Sequence, residues 1–158
     1  NGKLDTDEVH IALFDSASLA IDNIVDALAS GDVEQLQQSL QKAWHDDASA
    51  VMIVRACQGY FRQLGITGYV LAGGQSAENA ILNLRPPPHF KLKNRLKLHL
   101  RYWQPQHSMD IVNRLQDIES HLKSSSLDVQ IYTTQSLLGI CLRAPRQRIP
   151  SAPSKSVI

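Results

Sequence analysis

The chain is short of most features that would make its chemistry easy to read. Two cysteines occur in 158 residues, Cys57 and Cys141, far apart and each set among apolar neighbours. That pattern disfavours a disulfide framework or a metal pair, and buried free thiols in a reducing cytoplasm are expected. Aromatic residues make up 6%, lean for a platform that stacks nucleic-acid bases. No run approaches the roughly 18 apolar residues of a membrane span, so no membrane partner is expected. The start, NGKLDTDEV, has neither an initiator Met nor the apolar core of a signal peptide, and the chain reads as a cytoplasmic fragment of something longer. A net charge of +1 is too mild to imply nucleic acid globally, so an electrostatic partner has to be sought in local clusters.

Catalytic patterns are missing as well. His10, His45, His89, His99, His107 and His121 form no H-E-x-x-H or paired i, i+4 ligand set, and they read as surface or packing histidines. There is no G-x-S-x-G, and neither cysteine has a CxxC partner or a neighbouring His that would activate it. Asp46-Asp47 reads as a solvated loop. Gly73-Gly74 with Ser76 reads as a helix end followed by an N-cap, since no G-x-x-x-x-G-K-[ST] loop accompanies it. No catalytic residue, cofactor or metal is therefore expected.

Helical periodicity, by contrast, is abundant. Thr6 can cap a short helix, DEVHIALF, before DSAS interrupts it. Ile21, Ile24, Val25 and Leu28 follow the i, i+3, i+4, i+7 template up to Gly31, and Asp32 restarts a helix with Gln35 placed as in a capping box. Ala50, Ile53, Val54, Cys57, Tyr60, Phe61 and Leu64 keep helical spacing over four turns, the strongest signal in the chain. Whether that helix continues through Gly65 and Gly68, at about 1 kcal/mol each relative to Ala, is left open by the spacing. Ser76 caps AENAILNL, and Pro86, Pro87 and Pro88 force extended backbone after Leu84. Ser108 is expected to cap a helix carrying Ile111, Leu115, Ile118 and Leu122. Asp128 caps VQIYTTQSLLGICLR, whose nearly all-round apolar end implies a central position. APRQRIPSAPSKSVI has little to bury and reads as a tail. The fold class is all-α, a bundle of about six to eight helices.

RPPPHFKLKNRLKLHLRYW, residues 85–103, is the stretch with functional promise. Basic and apolar residues nearly alternate, as in a half-buried strand, but a lone strand would lack a ladder, and Leu, Lys and Arg are good helix formers. As a helix it aligns Leu92, Leu96, Leu100 and Trp103 on one seam, widened by Leu98 and Tyr102, with Arg95 and His99 beside it, where long side chains can snorkel. Lys93, Arg95, Lys97 and Arg101 then form a basic face. Three uses remain open for it: a solvated surface, a docking face for an acidic partner, or a phosphate-binding face.

Ile24-Val25-Asp26-Ala27-Leu28-Ala29-Ser30-Gly31-Asp32, Val54-Arg55-Ala56, Phe61-Arg62-Gln63-Leu64, and Leu84-Arg85-Pro86-Pro87 with Phe90-Lys91 and Trp103 together resemble the C-terminal domain of the bacterial DNA polymerase III delta subunit. The likeness runs from about Ser18 to Ala144. Its most specific piece comprises Arg85, Pro86, Pro87, Phe90, Lys91 and Trp103; Glu119 and Lys123 also sit where the family tends to carry an acid and a lysine. The resemblance implies a clamp-loader collar domain over 15–144, preceded at 1–14 by the end of a lid domain and followed at 145–158 by the tail. It implies assembly with gamma/tau and delta-prime subunits, no catalysis by this piece of the polymerase holoenzyme, and contact with the sliding clamp only through an N-terminal part that this chain lacks. DNA would be met through the assembled complex. The rival expectation is an independent helical nucleic-acid-binding module that uses Lys93, Arg95, Lys97 and Arg101.

Overall fold

A computed structural model describes residues 17–85, 87–124 and 128–145. The expected helix behind Thr6, Pro86 and most of the tail lie outside these. Among the described residues there are seven helices and no strands: α1 (17–30), α2 (Val33–His45), α3 (Ala50–Ala72), α4 (Ala77–Leu82), α5 (Phe90–His99), α6 (Pro105–Ser124) and α7 (Val129–Arg143). No described helix is long and apolar enough to cross a membrane.

The helix boundaries follow local chemistry. Gly31 takes φ 70° between α1 and α2, a left-handed turn that costs glycine little. Asp32 Oδ1 then accepts from the Gln35 N–H at 3.0 Å, satisfying one of the free donors at the start of α2. Ser49, Ser76 and Asp128 cap α3, α4 and α7 in the same way.

α3 is the post of the bundle and packs against α4, α6 and α7. Ile53, Val54, Cys57, Phe61 and Leu64 are all essentially inaccessible to solvent. The helix does run through Gly65 and Gly68, and the reason is α6. A Cβ on Gly65 would stand 2.8 Å from Met109 Sδ, and one on Gly68 would stand 2.9 Å from Pro105 Cγ. The two glycines thus trade helix propensity for close approach of a neighbouring helix.

Three expectations are corrected. α6 begins at Pro105 rather than being capped by Ser108. Proline suits the first helical position because its missing N–H would be unpaired there anyway, while Ser108 is buried inside the helix and donates to Gln104 O at 3.3 Å. α7 is not central: Leu137, Ile140 and Cys141 are buried, but Ile131 and Leu142 are exposed. The basic helix ends at His99 and does not reach Trp103, because the Arg101 and Tyr102 N–H groups bond three residues back, to Leu98 O and His99 O at 3.2 and 3.0 Å, and tighten the chain into a turn.

The glycine geometry generates a graded prediction. Gly59 has nothing within 4 Å of an added Cβ, so Gly59→Ala should stabilise by about 0.5–1 kcal/mol. Gly68→Ala meets a rigid proline ring and should destabilise by roughly 1–3 kcal/mol. Gly65→Ala, which meets the movable end of a methionine, should fall between them. Urea unfolding of the three variants checks the order.

Candidate functional site

α5 and its two flanking loops hold most of the residues singled out from sequence. Arg85, exposed, donates through Nη1 to Leu82 O and Leu84 O at 3.4 and 3.3 Å, closing the carbonyl end of α4. Pro87 and Lys91 are exposed, and Phe90 is 72% exposed, an apolar ring the core does not use. Trp103 is the opposite case: 5% exposed, its indole N–H donates to Ala29 O at 2.8 Å, and its ring meets Phe61 edge-on at 4.9 Å between centroids.

The four candidate cations do not form one free patch. Arg95 lies against α1, its Nη1 donating to Asp22 O at 3.1 Å and its Nε 3.7 Å from Asp26 Oδ1. Lys97 reaches across to α4 and pairs with Glu78 Oε1 at 3.2 Å. Lys93 and Arg101 lie on either side of Lys97 along a groove between α4 and α5, floored by Leu71, Ile81, Leu82 and Leu100. Lys93, Lys97 and Arg101 are therefore a rim, and Arg95 is an anchor.

Sequence reasoning missed His99. It was expected beside the seam, yet it is 2% exposed, while Leu98, expected to widen the seam, is 43% exposed. The 3.6-residue period brings position 99 under the same face as Leu92 and Leu96, and the imidazole is accepted there because two helices, α1 and α3, supply partners. Nε2 lies 3.0 Å from Ser30 Oγ and 3.7 Å from Asp26 Oδ1, and Nδ1 is hydrogen-bonded to the Tyr60 hydroxyl. Burial holds the ring's pKa below 6.5, with Asp26 pulling the other way and Arg95 reinforcing. Burial also pushes the Tyr60 phenol far up, so it stays a donor.

A serine, a histidine and a hydroxyl in line invite comparison with a nucleophile and its base, and the hydrogen bonding argues against it. The buried Tyr60 phenol has a proton to place, and Nδ1 is its described acceptor. With the Tyr60 phenol donating to Nδ1, Nε2 carries the ring's proton and donates to Ser30 Oγ, whereas a general base needs Nε2 free to accept from that oxygen. Ser30 also ends α1, where backbone carbonyls rather than N–H groups are presented, a poor place for an oxyanion. The cluster is a satisfied core network joining α1, α3 and α5.

A second polar cluster sits on the α3–α6 seam. Glu119 accepts from Arg55 Nε at 2.8 Å and from Gln58 Nε2 at 2.9 Å, with Lys123 Nζ at 3.1 Å. Arg55 above all, then Gln58 and Lys123, hold its carboxyl down at about 2. Cys57 and Cys141 are buried and Cys141 Sγ bonds Ala27 O at 3.7 Å, and burial pushes Cys57 up to about 12, which makes it inert. No group of three or more His, Cys, Asp or Glu suited to a metal exists among the described residues.

These shifts fix the pH response. A carboxyl lowered from 4.5 to about 2 stabilises the fold fully above 4.5 and loses that contribution as pH falls towards 2. Glu119→Gln should therefore flatten stability against pH within that window while lowering it at neutral pH. For His99 the unfolded ring takes up a proton at 6.5 before the folded ring does, so stability falls as pH drops below 6.5. His99→Gln should remove that component, and urea midpoints measured from pH 8 to 2 test both variants.

Compared with known proteins, the chain matches no family model, no curated protein and no solved structure.

Proposed function

We propose that the chain is an oligomerisation module, the helical collar of a clamp-loader delta subunit, whose task is to hold neighbouring subunits together rather than to carry out chemistry. The observation that carries this reading is the convergence of its separately placed motifs. The carbonyl of Ala29, from the DALASGD hairpin, accepts the Trp103 indole, and the ring of Phe61, from FRQL, packs on the same indole. Arg55, Glu119 and Lys123, three further likenesses, meet in a separate ion cluster, while Arg85, Pro87, Phe90 and Lys91 are exposed. Motifs that resemble one family and meet in two clusters of one bundle are what a shared fold would produce.

The all-α bundle agrees with a collar, which joins its neighbours side by side through leftover apolar faces. Such faces are present: Leu82, Phe90, Ile131 and Leu142 are each more than half exposed. The nucleic-acid reading is weakened by Arg95, which is engaged with Asp22 O and Asp26 of this chain.

Size-exclusion chromatography with mass measurement, on the chain mixed with gamma/tau and delta-prime subunits, tests the proposal. The expected result is a stable mixed complex, together with no salt-dependent affinity of the chain alone for primed DNA. Failure to join those subunits, with DNA affinity that is abolished by Lys93→Glu and Lys97→Glu, would replace the collar with the nucleic-acid module.

A further inference from the structure

The groove between α4 and α5 has a construction the collar reading does not explain. Its floor is apolar, formed by Leu71, Ile81, Leu82 and Leu100, and its rim carries Lys93, Lys97 and Arg101 against a single acid, Glu78. Leu82 is 58% exposed, and the exposed Phe90 stands one helical turn before Lys93 on the same side of α5. The Lys97–Glu78 pair crosses the middle and divides the groove into two hollows. Both partners are open to solvent, at 44% and 76% of their side-chain surface, so the pair contributes little and exchanges easily.

We propose that this groove is a docking site for an acidic amphipathic helix of a partner protein. From Lys93 to Leu100 the groove runs about 10 Å along α5, the span between apolar anchors at i and i+7 on a bound helix. Two such anchors fill the hollows on either side of Lys97. Carboxylates flanking them meet Lys93 and Arg101, and a third takes Lys97 away from Glu78. The charge is complementary to an acidic segment. Nucleic acid fits poorly, because the floor offers aliphatic side chains where bases need aromatic planes. The inference stands apart from the collar reading, since it names one groove and one ligand chemistry whatever larger complex the chain joins.

The test uses the whole chain and a fluorescent synthetic helix of about 18 residues, with leucines at i, i+3 and i+7 and glutamates on both flanks. Anisotropy titration should show saturable binding at least about tenfold tighter than for a scrambled peptide or one with lysines in place of the glutamates. Leu82→Asp, at an exposed position that leaves the core untouched, should weaken binding by about tenfold or more. Glu78→Gln should tighten it by freeing Lys97, a gain that no folding defect would mimic. Perturbed amide signals should cluster at Leu71, Glu78, Leu82, Lys97 and Leu100. Equal binding of the scrambled peptide, an unaffected Leu82→Asp variant, weaker binding by Glu78→Gln, or perturbations centred elsewhere would each overturn the proposal. So would tighter binding of a single-stranded oligonucleotide of equal charge. Absence of gamma/tau assembly would leave these outcomes unchanged, so the two readings fail separately.

Discussion

The fold turns on the way Trp103 and His99 are held. Four residues apart, at and just beyond the end of α5, they reach into the same core from the same side. Trp103 bonds the last turn of α1 and packs on α3, while His99 bonds Ser30 on α1 and Tyr60 on α3. An indole N–H and two imidazole nitrogens are costly to bury unpaired, so each position tolerates little except the observed arrangement. α5, with few buried residues of its own, is thereby fixed on the bundle. Arg95, bonded to α1 alongside, works in the same direction. With its inner side so constrained, the outer side of α5 can carry exposed cations and Phe90 without those residues having any part in folding.

A different device governs the second half of α3. There the chain uses absence of side chain: Gly65 and Gly68 admit Met109 and Pro105, and the Glu119 cluster fastens the same two helices farther along. Close-packed backbone and a surface ion cluster thus hold α6, whereas a buried polar knot holds α5.

Much of this was legible in the sequence wherever one helix's own period was enough. The caps at Asp32, Ser76 and Asp128 are local chemistry, and the left-handed turn at Gly31 needs no tertiary information. What was not legible depended on partners distant in the chain. His99 reads as a half-exposed polar residue until Ser30 and Tyr60 are placed around it. Ser108 reads as a cap until Pro105 is recognised as a first helical residue. The continuation of α3 through two glycines makes sense only once α6 lies across them. On the candidate face Lys97 and Arg101 are exposed and Lys93 half-buried, and the sequence gave no sign that Arg95 is turned inward against Asp22 and Asp26.

Assembly through its exposed apolar side chains is the function we propose for the chain. Hydrogen exchange along the whole chain, compared alone, with gamma/tau and delta-prime, and with primed DNA, tests it most directly. The account predicts slowed exchange over at least one contiguous helical face when the subunits are added, and an unchanged pattern with DNA. Slowing confined to α5 with DNA, and none with the subunits, would contradict it.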